Sequence, residues 1–172
     1  MNLLHNSFFL NENKVLNIFI CGIGTVGSQL IEQISSQYAT LITNQHLQLN
    51  IVGIANSRTY IFNAEGLDIT NYREQLLAAE TKNLSDIVHQ LATLHNSIFV
   101  DCTASEDIAN IYQMLLENNI SVVTANKIAA SAEYKKYELL KKTALEHDVK
   151  FLFETNVGAG LPIIRTINDL RN

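Results

Sequence analysis

The stretch Val15-Leu16-Asn17-Ile18-Phe19-Ile20-Cys21-Gly22-Ile23-Gly24-Thr25-Val26-Gly27 decides the fold. Its opening run is largely apolar and bounded by glycine, the pattern of a short strand buried on both faces. Beyond the glycines, Val26, Leu30, Ile31 and Ile34 recur at helical spacing. The unit therefore reads strand, glycine turn, helix. Outward from it the alternation continues. A second strand is expected over 47–55, followed by a polar insertion, then helices over 72–79 and 84–94 and a third strand over 97–100. A helix over 108–117, a strand over 121–123, a helix over 132–146, a strand over 151–153 and a helix opening at Leu161 complete the series. Such βαβα order predicts a Rossmann-type doubly wound α/β fold, a parallel sheet with helices on both faces. Residues 1–14 are polar and Asn-rich and read as a linker or leader, which leaves one domain over 15–172.

Composition agrees. Hydrophobic residues make up 47% of the 172 and charged residues 17%, far from the composition of a disordered chain. The net charge of −5 speaks against nucleic acid, which requires a basic stripe. No apolar run approaches the roughly 20 residues that span a bilayer. Cys21 and Cys102 sit in or beside apolar runs without metal-ligand spacing, so the expected compartment is the reducing cytoplasm.

Five of the seven glycines fall in two clusters, 22–27 and 158–160, and the lone proline, Pro162, follows the second. Gly22, Gly24 and Gly27 match G-x-G-x-x-G directly after a strand and at the start of a helix. In that context the first glycine permits the tight turn, the second lets a pyrophosphate approach the backbone, and the third lets helix and strand pack closely. Gly22, Ile23, Gly24, Thr25, Val26 and Gly27 are thus candidate cofactor residues, with the helix N-terminus facing the phosphates. After the second strand stand Asn56, Ser57 and Arg58, where NAD-preferring domains place an acid. A guanidinium there suits a ribose 2′-phosphate, which favours NADP(H) and leaves NAD(H) open. Thr103, Ser105 and Lys127 close the next strands, and ligands of such sheets bind outside the strands' carboxyl ends. Ser105 equally fits a helix N-cap.

These motifs, with Val52-Gly53-Ile54-Ala55-Asn56-Ser57, Val100-Asp101-Cys102-Thr103, Val122-Val123-Thr124-Ala125-Asn126-Lys127 and above all Glu154-Thr155-Asn156-Val157-Gly158-Ala159-Gly160-Leu161-Pro162, resemble homoserine dehydrogenase. The likeness runs in order over 15–170 and is strongest to the dehydrogenase half of bifunctional aspartokinase/homoserine dehydrogenases, whose linker the leader around His5 resembles. The resemblance implies reversible reduction of L-aspartate 4-semialdehyde to L-homoserine with NAD(P)H, in threonine, methionine and isoleucine biosynthesis. It implies nicotinamide-side contacts at Thr103 and Lys127, with Lys127 also facing substrate. It further implies a monovalent cation such as Na⁺ held by backbone carbonyls of Glu154, Val157, Ala159 and Leu161. An aspartokinase domain on the same parent chain and a homo-oligomeric parent are implied as well. The family's proton-donating lysine belongs to a substrate and dimerisation domain that would follow Asn172, so the 172 residues alone are expected to be inactive. Rival expectations are the cofactor domain of another amino-acid semialdehyde dehydrogenase and a non-catalytic nucleotide-sensing module.

Overall fold

A computed structural model describes residues 14–127 and 134–153. Six strands, β1 (Lys14–Cys21), β2 (Leu47–Ala55), β3 (Tyr60–Phe62), β4 (Ser97–Asp101), β5 (Ser121–Thr124) and β6 (Phe151–Phe153), form one sheet in the order β3-β2-β1-β4-β5-β6. The helices are α1 (Thr25–Gln45), α2 (Tyr72–Leu77), α3 (Leu84–Ala92), α4 (Glu106–Asn110), α5 (Tyr112–Glu117) and α6 (Tyr134–Glu146). The strand β2 pairs with β1, β1 with β4, β4 with β5 and β5 with β6, all in parallel.

The alternation of side chains along the strands divides the core in two. Ile18, Ile20, Ile54, Ile98, Val100 and Val123 meet Leu30, Ile31, Ile34 and Leu41 of α1 and Tyr72 and Leu76 of α2. Phe19, Cys21, Val52, Phe99 and Val122 meet α3, α4, α5 and α6 on the opposite face. Helices on both faces explain why the central strands read as unbroken apolar runs. Between Ile18 and Phe19 the β1–β2 register shifts, and Phe19 then lies opposite Gly53. A side chain at Gly53 would collide with the Phe19 ring, which stacks on Phe99 at 5.6 Å.

Two expectations need correction. The sheet is mixed, because β3 lies antiparallel to Gly53–Ala55 of β2 and forms an edge within what reads as a polar insertion. The helix expected over 108–117 is broken at Ile111 into α4 and α5. The leader, the cation loop at Glu154, Val157, Ala159 and Leu161, and the helix expected at Leu161 lie outside the described residues.

Candidate functional site

The chain leaves β1 toward β2 on one side and returns through α3 to β4 on the other, so the strand order reverses between β1 and β4. At the carboxyl ends of these strands a crevice of about 610 Å³ opens, lined by Gly22, Ile23, Gly24, Asn56, Ser57, Lys82, Leu84, Cys102, Thr103, Ser105, Asp107 and Ile108. A switch point of this kind is where open α/β sheets receive ligands.

Each glycine of the turn does a separate job. Gly22 has φ +95°, and a Cβ there would sit 2.8 Å from Thr103 Cγ2 and 3.0 Å from the Cys102 carbonyl. At Gly27 a Cβ would lie 1.8 Å from the Gly22 carbonyl oxygen, so α1 can cross this close to the turn only without a side chain. At Gly24 a Cβ would meet nothing within 4 Å. That open space lies at the N-cap of the 21-residue α1, which has no side-chain cap and no acid in its first turn. Uncapped N–H groups at the positive end of a long helix, with room in front of them, fit a pyrophosphate. Thr25, Val26 and Gly27 belong to that first turn and do not line the crevice wall. Arg73 of α2 reaches the Ser28 hydroxyl at 2.8 Å and places a cation beside the same turn.

At the end of β2 the side chain of Asn56 builds the loop. Its Oδ1 accepts from the backbone N–H of Arg58 at 2.6 Å and of Thr59 at 2.7 Å, and its Nδ2 donates to Thr59 Oγ1 at 3.0 Å. Ser57 and Arg58 are exposed, and Arg58 stands outside the crevice lining. The residue that sequence reasoning missed is Lys82. Its ammonium donates to the Asn56 carbonyl at 3.1 Å, 26 residues away. An isolated antiparallel bridge between Thr59 and Thr81 and a 2.7 Å bond from Lys82 N–H to the Arg58 carbonyl hold the backbones of residues 58 and 82 side by side. No motif announces Lys82, since only the β3 edge and that bridge bring it back.

On the β4 side, Thr103 Oγ1 accepts from the Ser105 N–H at 3.1 Å. Ser105 occupies the N-cap position of α4 but its hydroxyl makes no cap bond. Beneath them lies fully buried Asp101, which accepts from Thr103 N–H, Tyr112 hydroxyl and the Asn126 amide. Asn126 Nδ2 also donates to the Ser105 carbonyl at 2.9 Å, tying the end of β5 to that of β4. Lys127, next in the chain, is exposed. Burial, reinforced by the charge of Asp101, pushes the thiols of Cys21 and Cys102 up to about 12. Both are therefore neutral at physiological pH, and Cys102 serves as a wall of the crevice, not as a nucleophile. Among the described residues no group of His, Cys, Asp and Glu could hold a metal ion, and no helix is long and apolar enough to cross a membrane.

Residues 22–154 match the family model for the homoserine dehydrogenase NAD-binding domain. The chain is 36% identical over 169 residues to a bifunctional aspartokinase/homoserine dehydrogenase of Haemophilus influenzae, covering 96% of this chain and 20% of that protein. It is 38% identical over 170 residues to a chloroplastic bifunctional aspartokinase/homoserine dehydrogenase 1 of Zea mays, covering 96% and 18%. A hyperthermophilic archaeal homoserine dehydrogenase solved in complex with NADPH superposes with a TM-score of 0.67 at 27% identity, over 90% of this chain and 48% of that one. The chain thus spans about a fifth of the length of these curated relatives.

Proposed function

The chain belongs to the homoserine dehydrogenase family, whose NAD-binding domain it forms, and from that premise we propose that its crevice prefers NADP(H) to NAD(H). Lys82, which lines the crevice at the β2 end and donates to the Asn56 carbonyl, carries this reading, with Arg58 on the neighbouring backbone segment. A ribose 2′-phosphate is a dianion, and a lysine in the lining, an arginine on the neighbouring segment and no carboxylate between Asn56 and Arg58 suit it better than a 2′-hydroxyl. The pyrophosphate would rest on Ile23 and Gly24 and the first turn of α1, formed by Thr25, Val26 and Gly27, with Gly22 shaping the turn and Asn56 and Ser57 forming the adenosine side. Thr103 and Ser105 would face the nicotinamide half. When bound, the nicotinamide supplies hydride chemistry, and the protein supplies its orientation and surroundings.

For the longer protein this reading implies reversible reduction of L-aspartate 4-semialdehyde to L-homoserine, with Lys127 binding or polarising the substrate. It also implies an aspartokinase domain on the same chain, a homo-oligomer, a cytoplasmic setting compatible with two free thiols, and a Na⁺-like ion at Glu154, Val157, Ala159 and Leu161. A polypeptide of these 172 residues alone is expected to bind cofactor without homoserine-dependent reduction of NADP⁺.

Fluorescence titration with NADPH and NADH tests the preference. Lys82→Ala and Arg58→Ala are each expected to weaken NADPH by roughly tenfold or more, the worth of one charge-assisted hydrogen bond, and to leave NADH within about twofold. Tighter binding of NADH than of NADPH by the unaltered chain would sink the proposal.

A further inference from the structure

Asp101 ends β4, in register with Cys21 on one side and Thr124 on the other, and has no exposed surface. Its Oδ1 accepts from Thr103 N–H at 2.7 Å, and its Oδ2 accepts from the Tyr112 hydroxyl at 2.5 Å and Asn126 Nδ2 at 3.0 Å. The Asn126 N–H donates to Thr124 Oγ1 at 2.9 Å, and Thr124 Oγ1 lies 2.7 Å from the Tyr112 oxygen. Because the phenol has one proton and gives it to Asp101, the threonine hydroxyl must donate to the tyrosine. Every O–H and N–H of the chain thus runs toward the carboxylate, the polarity an ionised acid requires. All three direct partners are neutral. A carboxylate buried without a cation is costly. An amide in its place would keep one acceptor oxygen and turn an NH2 donor toward either the Thr103 N–H or the Tyr112 and Asn126 donors, so the three bonds call for both oxygens of a carboxylate. A negative charge comes with them.

With the pyrophosphate at the turn after β1 and the adenosine end at Lys82, the nicotinamide half would lie on the β4 side, where Thr103 and Ser105 line the crevice and are bonded into the Asp101 network. We propose that the buried carboxylate of Asp101 sets the preference of the crevice between oxidation states, stabilising the cationic nicotinamide of NADP⁺ relative to the neutral ring of NADPH. The two forms differ there by one charge and are otherwise alike, so the field of a nearby buried anion separates them. Other charges near the crevice are worse placed. Lys82 is at the adenosine end, while Glu106, Asp107 and Lys127 are exposed and screened by solvent. The inference rests on the cofactor reading above.

The test is the ratio of dissociation constants for NADP⁺ and NADPH, measured by calorimetry on the 172-residue chain. Asp101→Asn keeps the size, removes the charge and exchanges one acceptor oxygen for an NH2, and should raise that ratio by roughly tenfold, chiefly through weaker NADP⁺ binding. Asp101→Ser is a second neutral variant should the amide fail to fold. Tyr112→Phe removes a partner and keeps the charge, so its ratio should stay within about twofold of the unaltered chain. If a neutral variant weakens both forms equally, Asp101 is structural only and the inference falls while the cofactor reading stands. If the unaltered chain binds neither form, both fall.

Discussion

An added methyl at Gly27 would lie 1.8 Å from the Gly22 carbonyl oxygen, whereas one at Gly24 would meet no heavy atom within 4 Å. The two substitutions should therefore separate folding from binding. Gly27→Ala forces α1 off the turn and is expected to cost about 2 kcal/mol or more, a loss of roughly 4–8 °C in the thermal midpoint for a chain of this size. Gly24→Ala should leave the denaturant midpoint nearly unchanged yet weaken NADPH by roughly tenfold, because its methyl occupies the space in front of the helix N-terminus. Full affinity in Gly24→Ala would mean that the phosphates do not sit there. The glycine spacing makes this turn legible in the sequence, since it encodes a local geometry. Lys82 is not legible there, because its place depends on a bridge between Thr59 and Thr81 that no local pattern encodes. The buried thiols yield a second outcome at this scale. Cys21 and Cys102 ionise near 9.0 when unfolded and near 12 in the fold, so between these values the folded chain holds protons that the unfolded chain has lost. Stability should be full below pH 9 and decline above it, and denaturant midpoints at pH 8 and pH 10 would register the fall. Cys102→Ala should flatten that slope.

Among the elements, the apolar runs of β1, β2, β4, β5 and β6 are legible to within a residue or two because both of their faces are buried. The antiparallel β3 is not. Three residues among Asn56, Ser57, Arg58 and Asn63 carry too little periodicity, and their strand character comes from the β2 edge they cover. Helical spacing over 108–117 is real, but Ile111 takes φ −89° and ψ −1°, and the chain restarts as α5 with Tyr112 directed at Asp101. A buried polar anchor of this kind overrides local propensity, which is a weak preference in each residue. The start of α3 is legible in type: Asn83 caps it by accepting from Ser85 N–H at 3.0 Å. Asn83→Ala should lower the unfolding free energy by about 1 kcal/mol. Because Lys82 immediately precedes the cap, the same variant should weaken NADPH more than NADH, a difference that paired titrations would reveal. Equal weakening of both would place the effect in α3 alone.

At the scale of the molecule, the crevice is assembled from β1, β2, β4 and the loop before α3, segments that lie side by side only in the folded sheet. A ligand that needs all of them binds the native state and not the unfolded chain, so it must stabilise the whole fold by mass action. At a concentration 100 times its dissociation constant, NADPH should add about 2.7 kcal/mol, which for a chain of this size is roughly 5–10 °C in the thermal midpoint. The chain carries a net charge of −5, so its overall field repels an anionic dinucleotide, and attraction has to come from the α1 N-terminus and from Lys82, Arg58 and Arg73 at close range. Contributions from exposed cations fall with added salt, whereas those from the helix N–H groups are short-ranged hydrogen bonds. The thermal shift with NADPH should accordingly shrink between low salt and about 0.5 M NaCl without vanishing. In Lys82→Ala it should be smaller at low salt and less sensitive to salt. A shift independent of both salt and Lys82 would place the binding energy elsewhere than at the cations of the β2 end.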